Sequence, residues 1–136
     1  MDRLKLSIVK NEEKYYEFIR VLRTHPSNIS GFLEQVQISE EQQKKYMSKH
    51  SQDYWICLNG EVPVGFIGVV ENDIRLAVEP SYKNKGIGTF MVREISKIDK
   101  NATAKVLLDN IPSQKTFEKN NFQIYKIDNN FKYYKI

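Results

Sequence analysis

The sequence predicts an α/β fold of the α+β type, with about seven strands and the element order β-α-α-β-β-β-α-β-α-β-β. Three observations predict it. Runs rich in β-branched and aromatic residues recur between turn residues, most clearly around Asn59-Gly60. Two stretches before residue 51 carry helical periodicity or a helix-start signal. After Gly86 the pattern switches from strand back to helix, and strand and helix then alternate to the end.

Leu4 to Val9 reads as the first strand. From Asn11 to Arg23 the apolar residues Tyr15, Phe18, Ile19 and Leu22 fall at i, i+3, i+4 and i+7, the stripe of an amphipathic helix, and His25-Pro26 ends it. Ser39 opens a second helix that runs to about His50. Its hydroxyl can accept from the Gln42 amide while Gln42 reaches back, and Glu40 and Glu41 suit the positive end of the helix dipole. Tyr54 to Leu58, Pro63 to Val70 and Asp73 to Val78 follow as three antiparallel strands. The next helix carries Ile87, Phe90, Met91, Ile95 and Ile98 on one face. Lys105 to Asp109 is a short strand, and Pro112 lies in the first turn of a helix that reaches Lys119. Phe122 to Ile127 and Phe131 to Ile136 are strands on either side of Asp128-Asn129-Asn130. No repeat or Gly/Ser linker interrupts residues 1–136, so a single domain is expected.

Composition narrows the function classes. The 136 residues are 28% charged and 40% apolar, with 7 Phe and 8 Tyr, which excludes a disordered chain. Cys57 is the only cysteine; that excludes an intramolecular disulfide framework and a cysteine-rich zinc site, and makes the cytoplasm the expected location. No apolar run approaches the roughly 18 residues of a membrane span. Met1-Asp2-Arg3-Leu4 lacks the apolar core of a signal peptide, so no membrane association is expected. The formal charge of +4 favours an anionic partner.

The stretch Val78-Glu79-Pro80-Ser81-Tyr82-Lys83-Asn84-Lys85-Gly86-Ile87-Gly88-Thr89 joins a strand to a helix. A loop with two glycines that opens a helix leaves backbone amides pointing outward, where the dipole favours negative charge. Gly86 and Gly88 allow close backbone approach, and Lys83 and Lys85 add attraction, so a pyrophosphate is the natural guest. Gly88-Thr89 is not preceded by a P-loop frame, and Met91 stands where a dinucleotide fingerprint needs glycine. A solvated, lysine-bearing loop is the remaining structural alternative.

Lys83-Asn84-Lys85-Gly86-Ile87-Gly88 resembles the Q/R-x-x-G-x-G/A loop of the GNAT superfamily of acyl-CoA N-acyltransferases. Asn110 to Phe122 resembles that family's second signature, N-x-x-(A/S)-x-x-x-(Y/F)-E-K-x-G-F. The two stand in the family's order with a helix and a strand between them. The resemblance implies a mixed, mainly antiparallel central sheet with helices on both faces, acetyl-CoA as acyl donor without a metal, and N-acetyl transfer to a small-molecule amine. It also implies a bulge in Asp73 to Val78 that splays this strand from Lys105 to Asp109, so that pantetheine lies between them. Cofactor contacts then fall on Leu76, Ala77 and Val78, on Lys83, Asn84, Lys85, Gly86, Ile87, Gly88 and Thr89, and on Asn110, Phe117 and Lys119. A homodimer is compatible with the resemblance, and a nucleic-acid partner is not expected.

This sequence departs from the family pattern at three positions. Lys83 replaces Arg or Gln, which keeps a charged donor but loses the bidentate fork. Asn121 stands where glycine usually takes a left-handed conformation. Phe117 stands where many members have a Tyr thought to protonate the departing thiolate, and it has no hydroxyl. Asp73 and Ser113 are the candidate catalytic residues; Ser113 and Asn110 are also expected to contact pantetheine, with capping of the helix as the alternative for Asn110. Glu71 and Glu79 are further candidate bases, and Asp73 has the alternative of pairing with Arg75 on the same strand face. His25 and His50 suit helix ends, and Cys57 suits packing.

Leu22-Arg23, Phe32 and Ile38 to Met47 resemble a GNAT subset that acetylates amino groups on nucleotide-linked deoxyamino sugars, with Gln43 where that pattern often has His. Arg23 and Phe32 are accordingly expected at the acceptor, with Arg23 holding a phosphate or standing as a helix-end cation. Amines on protein or nucleic acid, and a cofactor-binding module without activity, stay open as alternatives.

Overall fold

The computed structural model describes residues 3–25 and 38–136. In chain order the elements are β1 (Leu6–Lys10), a 3-10 turn Glu13–Tyr15 that runs into α1 (Tyr16–Thr24), α2 (Glu40–His50), β2 (Tyr54–Asn59), β3 (Val62–Val70), β4 (Asp73–Val78), α3 (Ile87–Ile98), β5 (Thr103–Leu107), α4 (Ile111–Lys119), β6 (Gln123–Ile127) and β7 (Phe131–Lys135). All seven strands form one sheet in the order β1-β2-β3-β4-β5-β7-β6. Only β4 and β5 are parallel neighbours. The fold class is the expected one, and among the described residues the helices and strands follow the expected order.

Boundaries moved where turns compete with strands. β5 begins two residues earlier than its pattern suggested, because Ala102 and Ala104 are buried while Asp109 and Asn110 turn the chain into α4. The β3–β4 turn places Glu71 and Asn72 at φ +51° and +68°, left-handed conformations reached without glycine.

The sheet separates two apolar clusters. On one face Ile19 and Leu22 of α1 and Met47 of α2 pack over Tyr54, Ile56, Phe66, Val70 and Ala77. On the other, Ile87, Met91, Val92 and Ile95 of α3 and Phe117 of α4 cover Cys57, Ile67, Val69, Ala104, Val106 and Tyr134. Residues 64–70 of β3 are buried throughout, as a strand covered on both faces must be. The capping box expected at Ser39 and Gln42 is formed, with bonds of 3.1 and 2.9 Å.

Candidate active site

β4 and β5 are joined by a single pair, Asp73↔Thr103. The Thr103 N–H donates to the Asn72 carbonyl at 2.7 Å. Backbone groups alternate with the strand period of two, so the even positions of β4 turn toward β5. Past Asp73 that neighbour is gone, and the backbone edges of Leu76 and Val78 face an opening. β4 itself carries no bulge: its register with β3 runs unbroken from Gly65↔Val78 to Val70↔Asp73. This corrects the bulged strand that the resemblance implied. β5 is the strand that leaves, because it pairs with β7 from Thr103↔Lys135 to Leu107↔Phe131 and then turns into α4.

The opening widens into a cleft of about 1000 Å³ between the β4 edge, the start of α3 and one face of α4. At α3 the N-cap is Gly86, with φ +80°, and no side chain caps the helix. A Cβ at Gly86 would have nothing within 4 Å, so the space beside it is open. The amides of Ile87, Gly88 and Thr89 have no intrahelical acceptor and lie at the positive end of the dipole. Lys83, Lys115 and Lys119 line the same cleft, with Asp109 as the one carboxylate among the described residues. Such a donor set suits a chain of phosphates.

α4 divides its labour by helical phase. Pro112, Lys115, Thr116 and Lys119, at i, i+3, i+4 and i+7, face the cleft with Ser113. Gln114 and Phe117 face the core. The Asn110 side chain accepts from the Ser113 amide at 3.3 Å. Gln114 Nε2 donates to the Leu107 and Leu108 carbonyls at 3.0 and 2.9 Å, which fixes the end of β5 against the helix. Asn120 Nδ2 donates to the Thr89 and Thr116 carbonyls at 3.2 and 2.9 Å and so ties α3 to α4. Asn121 takes the left-handed conformation expected of it, φ +65°.

Most of the residues expected at the cofactor line this cleft: Leu76, Ala77, Val78, Lys83, Asn84, Gly86, Ile87, Gly88, Thr89, Asn110 and Lys119, together with Ser113. Lys85 and Phe117 are not among the lining residues. Lys85 Nζ stands 5.8 Å from the centre of the Tyr82 ring. Phe117 is buried, 5.3 Å from the Phe122 ring and stacked 5.8 Å from Tyr134. Tyr82, Leu107, Asp109, Ile111, Pro112, Lys115 and Thr116 line it as well, and the i, i+3, i+4 spacing from Pro112 is the signal for Lys115 and Thr116.

Asp73 stands where β4 and β5 part. Burial pushes its carboxyl above the usual range, while Arg75 and Lys105 pull it down; Arg75 Nε lies 3.7 Å from its Oδ2. Glu71 is exposed in the β3–β4 turn. Glu79 caps the 3-10 turn Pro80–Tyr82 by accepting from the Ser81 amide at 2.9 Å and from its hydroxyl. His50 Nδ1 lies 3.2 Å from Asp53 Oδ2. Cys57 is buried and its thiol is pushed up to about 12, as packing requires. Arg23 lies on the α1/α2 side, its guanidinium 5.3 Å from the centre of the Tyr46 ring. Phe32 falls outside the described residues. Among the described residues no three metal-ligating side chains gather, and no helix is long and apolar enough to cross a membrane.

Residues 13–122 match the family model of the acetyltransferase (GNAT) family. The chain belongs to that family. Among solved structures, the GNAT chain is similar to a domain from Methanocaldococcus jannaschii DSM 2661 (TM-score 0.84, 24% identity, 97% of each chain covered). It is also similar to spermidine N-acetyltransferase from Vibrio cholerae in complex with CoA and spermine (TM-score 0.84, 14% identity, 96% of this chain and 94% of that one). A third is the Campylobacter jejuni N-acetyltransferase PseH in complex with acetyl coenzyme A (TM-score 0.64, 20% identity, 97% and 96%). At these identities the likeness is one of fold. No curated protein matches the sequence.

Proposed function

We propose that this GNAT acetyltransferase moves an acetyl group from acetyl-CoA to the primary amine of a small molecule. The observation that carries the reading is the β4 backbone edge left without a strand partner beside an uncapped helix start, both lining one cleft. The cleft's donor set fits the cofactor: amides of residues 87–89 with Lys83 for the pyrophosphate, and the Leu76 and Val78 edge for the amide-bearing pantetheine arm. Asn110 and Lys119 form the facing wall.

Acetyl-CoA supplies a thioester carbonyl carbon that bonds to the amine nitrogen as its C–S bond breaks, giving an amide and a free thiol. The chain's own groups serve the ends of that exchange. An amide of the β4 edge donates to the carbonyl oxygen, where charge develops. The Ser113 hydroxyl, lining the cleft, donates to the departing sulfur in place of the Tyr that Phe117 replaces. Asp73 takes the amine proton through water at the point where the strands part. An amino group on a nucleotide-linked sugar is one acceptor of this class, supported by the likeness around Arg23 and Ile38 to Met47.

The test is thermal unfolding with acetyl-CoA, followed by thiol release with a panel of amines. Acetyl-CoA should raise the midpoint in a concentration-dependent way. A midpoint that ignores saturating acetyl-CoA overturns the reading; binding without thiol release from any amine favours a cofactor-binding module.

A further inference from the structure

The other mouth of the β4/β5 opening lies on the α1/α2 face, and among the described residues cations outnumber acids there. Because Asp73 and Thr103 are paired in parallel strands, Arg75 and Lys105 occupy equivalent places two residues further on, one on each lip. Both share the face of Ala77, which packs in the α1/α2 cluster. Arg75 Nη1 donates to the Tyr46 hydroxyl at 3.4 Å, and that hydroxyl is 2.8 Å from the Tyr54 hydroxyl. Arg23 stands over the Tyr46 ring. Lys105 Nζ lies 4.3 Å from the centre of the Phe131 ring and 5.7 Å from that of Tyr133.

Arg23 and Arg75 thus flank the Tyr46–Tyr54 pair, and Arg75 and Lys105 flank Asp73, so that Arg75 links the cations along this mouth. Of the neighbouring acids, Asp53 lies against His50 and Asp128 accepts from the Tyr133 hydroxyl, while Asp73 is the carboxylate that approaches Arg75. Burial keeps the Tyr54 phenol neutral, so it does not offset the charge. Among the described residues, Asp73 set among Arg23, Arg75 and Lys105 is a poor seat for a polyamine and a good one for an anion.

Resting on the acetyltransferase reading, we propose that the acceptor is a primary amine that also carries a phosphate or carboxylate, held by Arg23, Arg75 and Lys105 while the amine enters between β4 and β5. The rings of Tyr46, Phe131 and Tyr133 hold the cations in place and wall the seat. The same field serves the chemistry: cations around the amine favour its free base, the form with a lone pair to attack.

Matched amines test this. Phosphoethanolamine is compared with ethanolamine, β-alanine with propylamine, and spermidine stands as the polycation. In each pair the anionic member should show at least a tenfold higher kcat/KM, and the better of the two pairs tells phosphate from carboxylate. Lys105→Ala and Arg75→Lys should raise KM for the anionic member about tenfold and leave KM for acetyl-CoA within twofold. Calorimetry of phosphoethanolamine and β-alanine against the CoA-saturated protein gives a readout apart from turnover: one should bind, and Lys105→Ala should weaken it about tenfold. Thiol release with spermidine or neutral amines as efficient as with their anionic counterparts overturns this proposal and leaves the acetyltransferase reading standing. Absence of calorimetric binding by both anionic amines overturns it as well. Failure of acetyl-CoA itself to bind overturns the acetyltransferase reading, and with it this one.

Discussion

The ring of Tyr54 lies across Gly68, its partner on the adjacent strand, so closely that a Cβ on Gly68 would come within 2.5 Å of Cε1. The close approach seats the Tyr54 hydroxyl against that of Tyr46, and so fixes the floor beneath Arg75. Gly68→Ala should cost about 1 to 3 kcal/mol of stability by overpacking. Tyr54→Leu, by removing the ring, should make the double variant less destabilised than the sum of the two. Urea denaturation of the four proteins checks it; strict additivity would mean that ring and glycine are independent.

Gly86→Val should abolish the acetyl-CoA-dependent rise in unfolding temperature. The residue sits at φ +80°, and its missing side chain leaves open space in front of the uncapped amides. The comparison is the midpoint with and without saturating acetyl-CoA, and an undiminished rise in the variant would remove the cradle from this loop.

Lys83 and Lys85, two residues apart, should separate. Lys83 lines the cleft, whereas Lys85 stands beside the Tyr82 ring. Lys83→Ala should weaken acetyl-CoA binding several-fold at low salt and less at high salt, since its contribution is electrostatic. Lys85→Ala should do so to a smaller extent at every ionic strength. Calorimetric titrations at two salt concentrations decide the order.

Phe117→Ala should destabilise by about 3 to 5 kcal/mol, because the ring is buried between Phe122 and Tyr134. Phe117→Tyr should change the turnover rate by less than about tenfold, or about 1.4 kcal/mol of barrier. A Phe117→Tyr gain far above tenfold, measured by thiol release, would show that the wild type lacks an effective acid for the leaving sulfur.

Acid stability should depend on Asp128. The Tyr133 hydroxyl, then the amides of Asn130 and Phe131, hold its carboxyl at about 2, below the 3.8 to which it returns on unfolding. The unfolded chain thus binds more protons between these values. The contribution is complete above about 3.8 and is lost as pH falls toward 2. The stability gap between wild type and Asp128→Asn should therefore narrow from pH 6 to pH 2.5 in urea titrations. A constant gap would assign the turn's stability to its backbone bonds alone.

Much of this was legible in the sequence because local rules and tertiary packing agreed. The loop from Lys83 to Gly88 and the helix after Asn110 announce themselves by glycines, a cap and a fixed spacing, and all but Lys85 and Phe117 of the residues expected at the cofactor line the cleft. Phe117 lies on the buried face of α4 with Gln114, one turn earlier, and not among the residues that line the cleft. The split of β4 from β5 was expected, but not its cause, since a departing β5 leaves no mark in the residues of β4. The meeting of Arg23, Tyr46, Arg75 and Lys105 joins α1, α2, β4 and β5, and no local pattern encodes a contact of that range.

The cleft is pinned at both ends, by the Asp73↔Thr103 pair where the strands part and by Asn120 bridging the two helices at the far side. A slot held at two points works as a gauge. Along the β4 edge it offers an extended guest main-chain groups that every residue possesses. Leu76 and Val78 can therefore exchange for other residues of similar bulk with little effect on the guest, whereas loss of the Asn120 amide would let the walls drift and blunt the fit. Substitution tolerance along the β4 edge should accordingly run opposite to proximity, with Leu76 and Val78 more replaceable than the remote Asn120 that helps to set the gap.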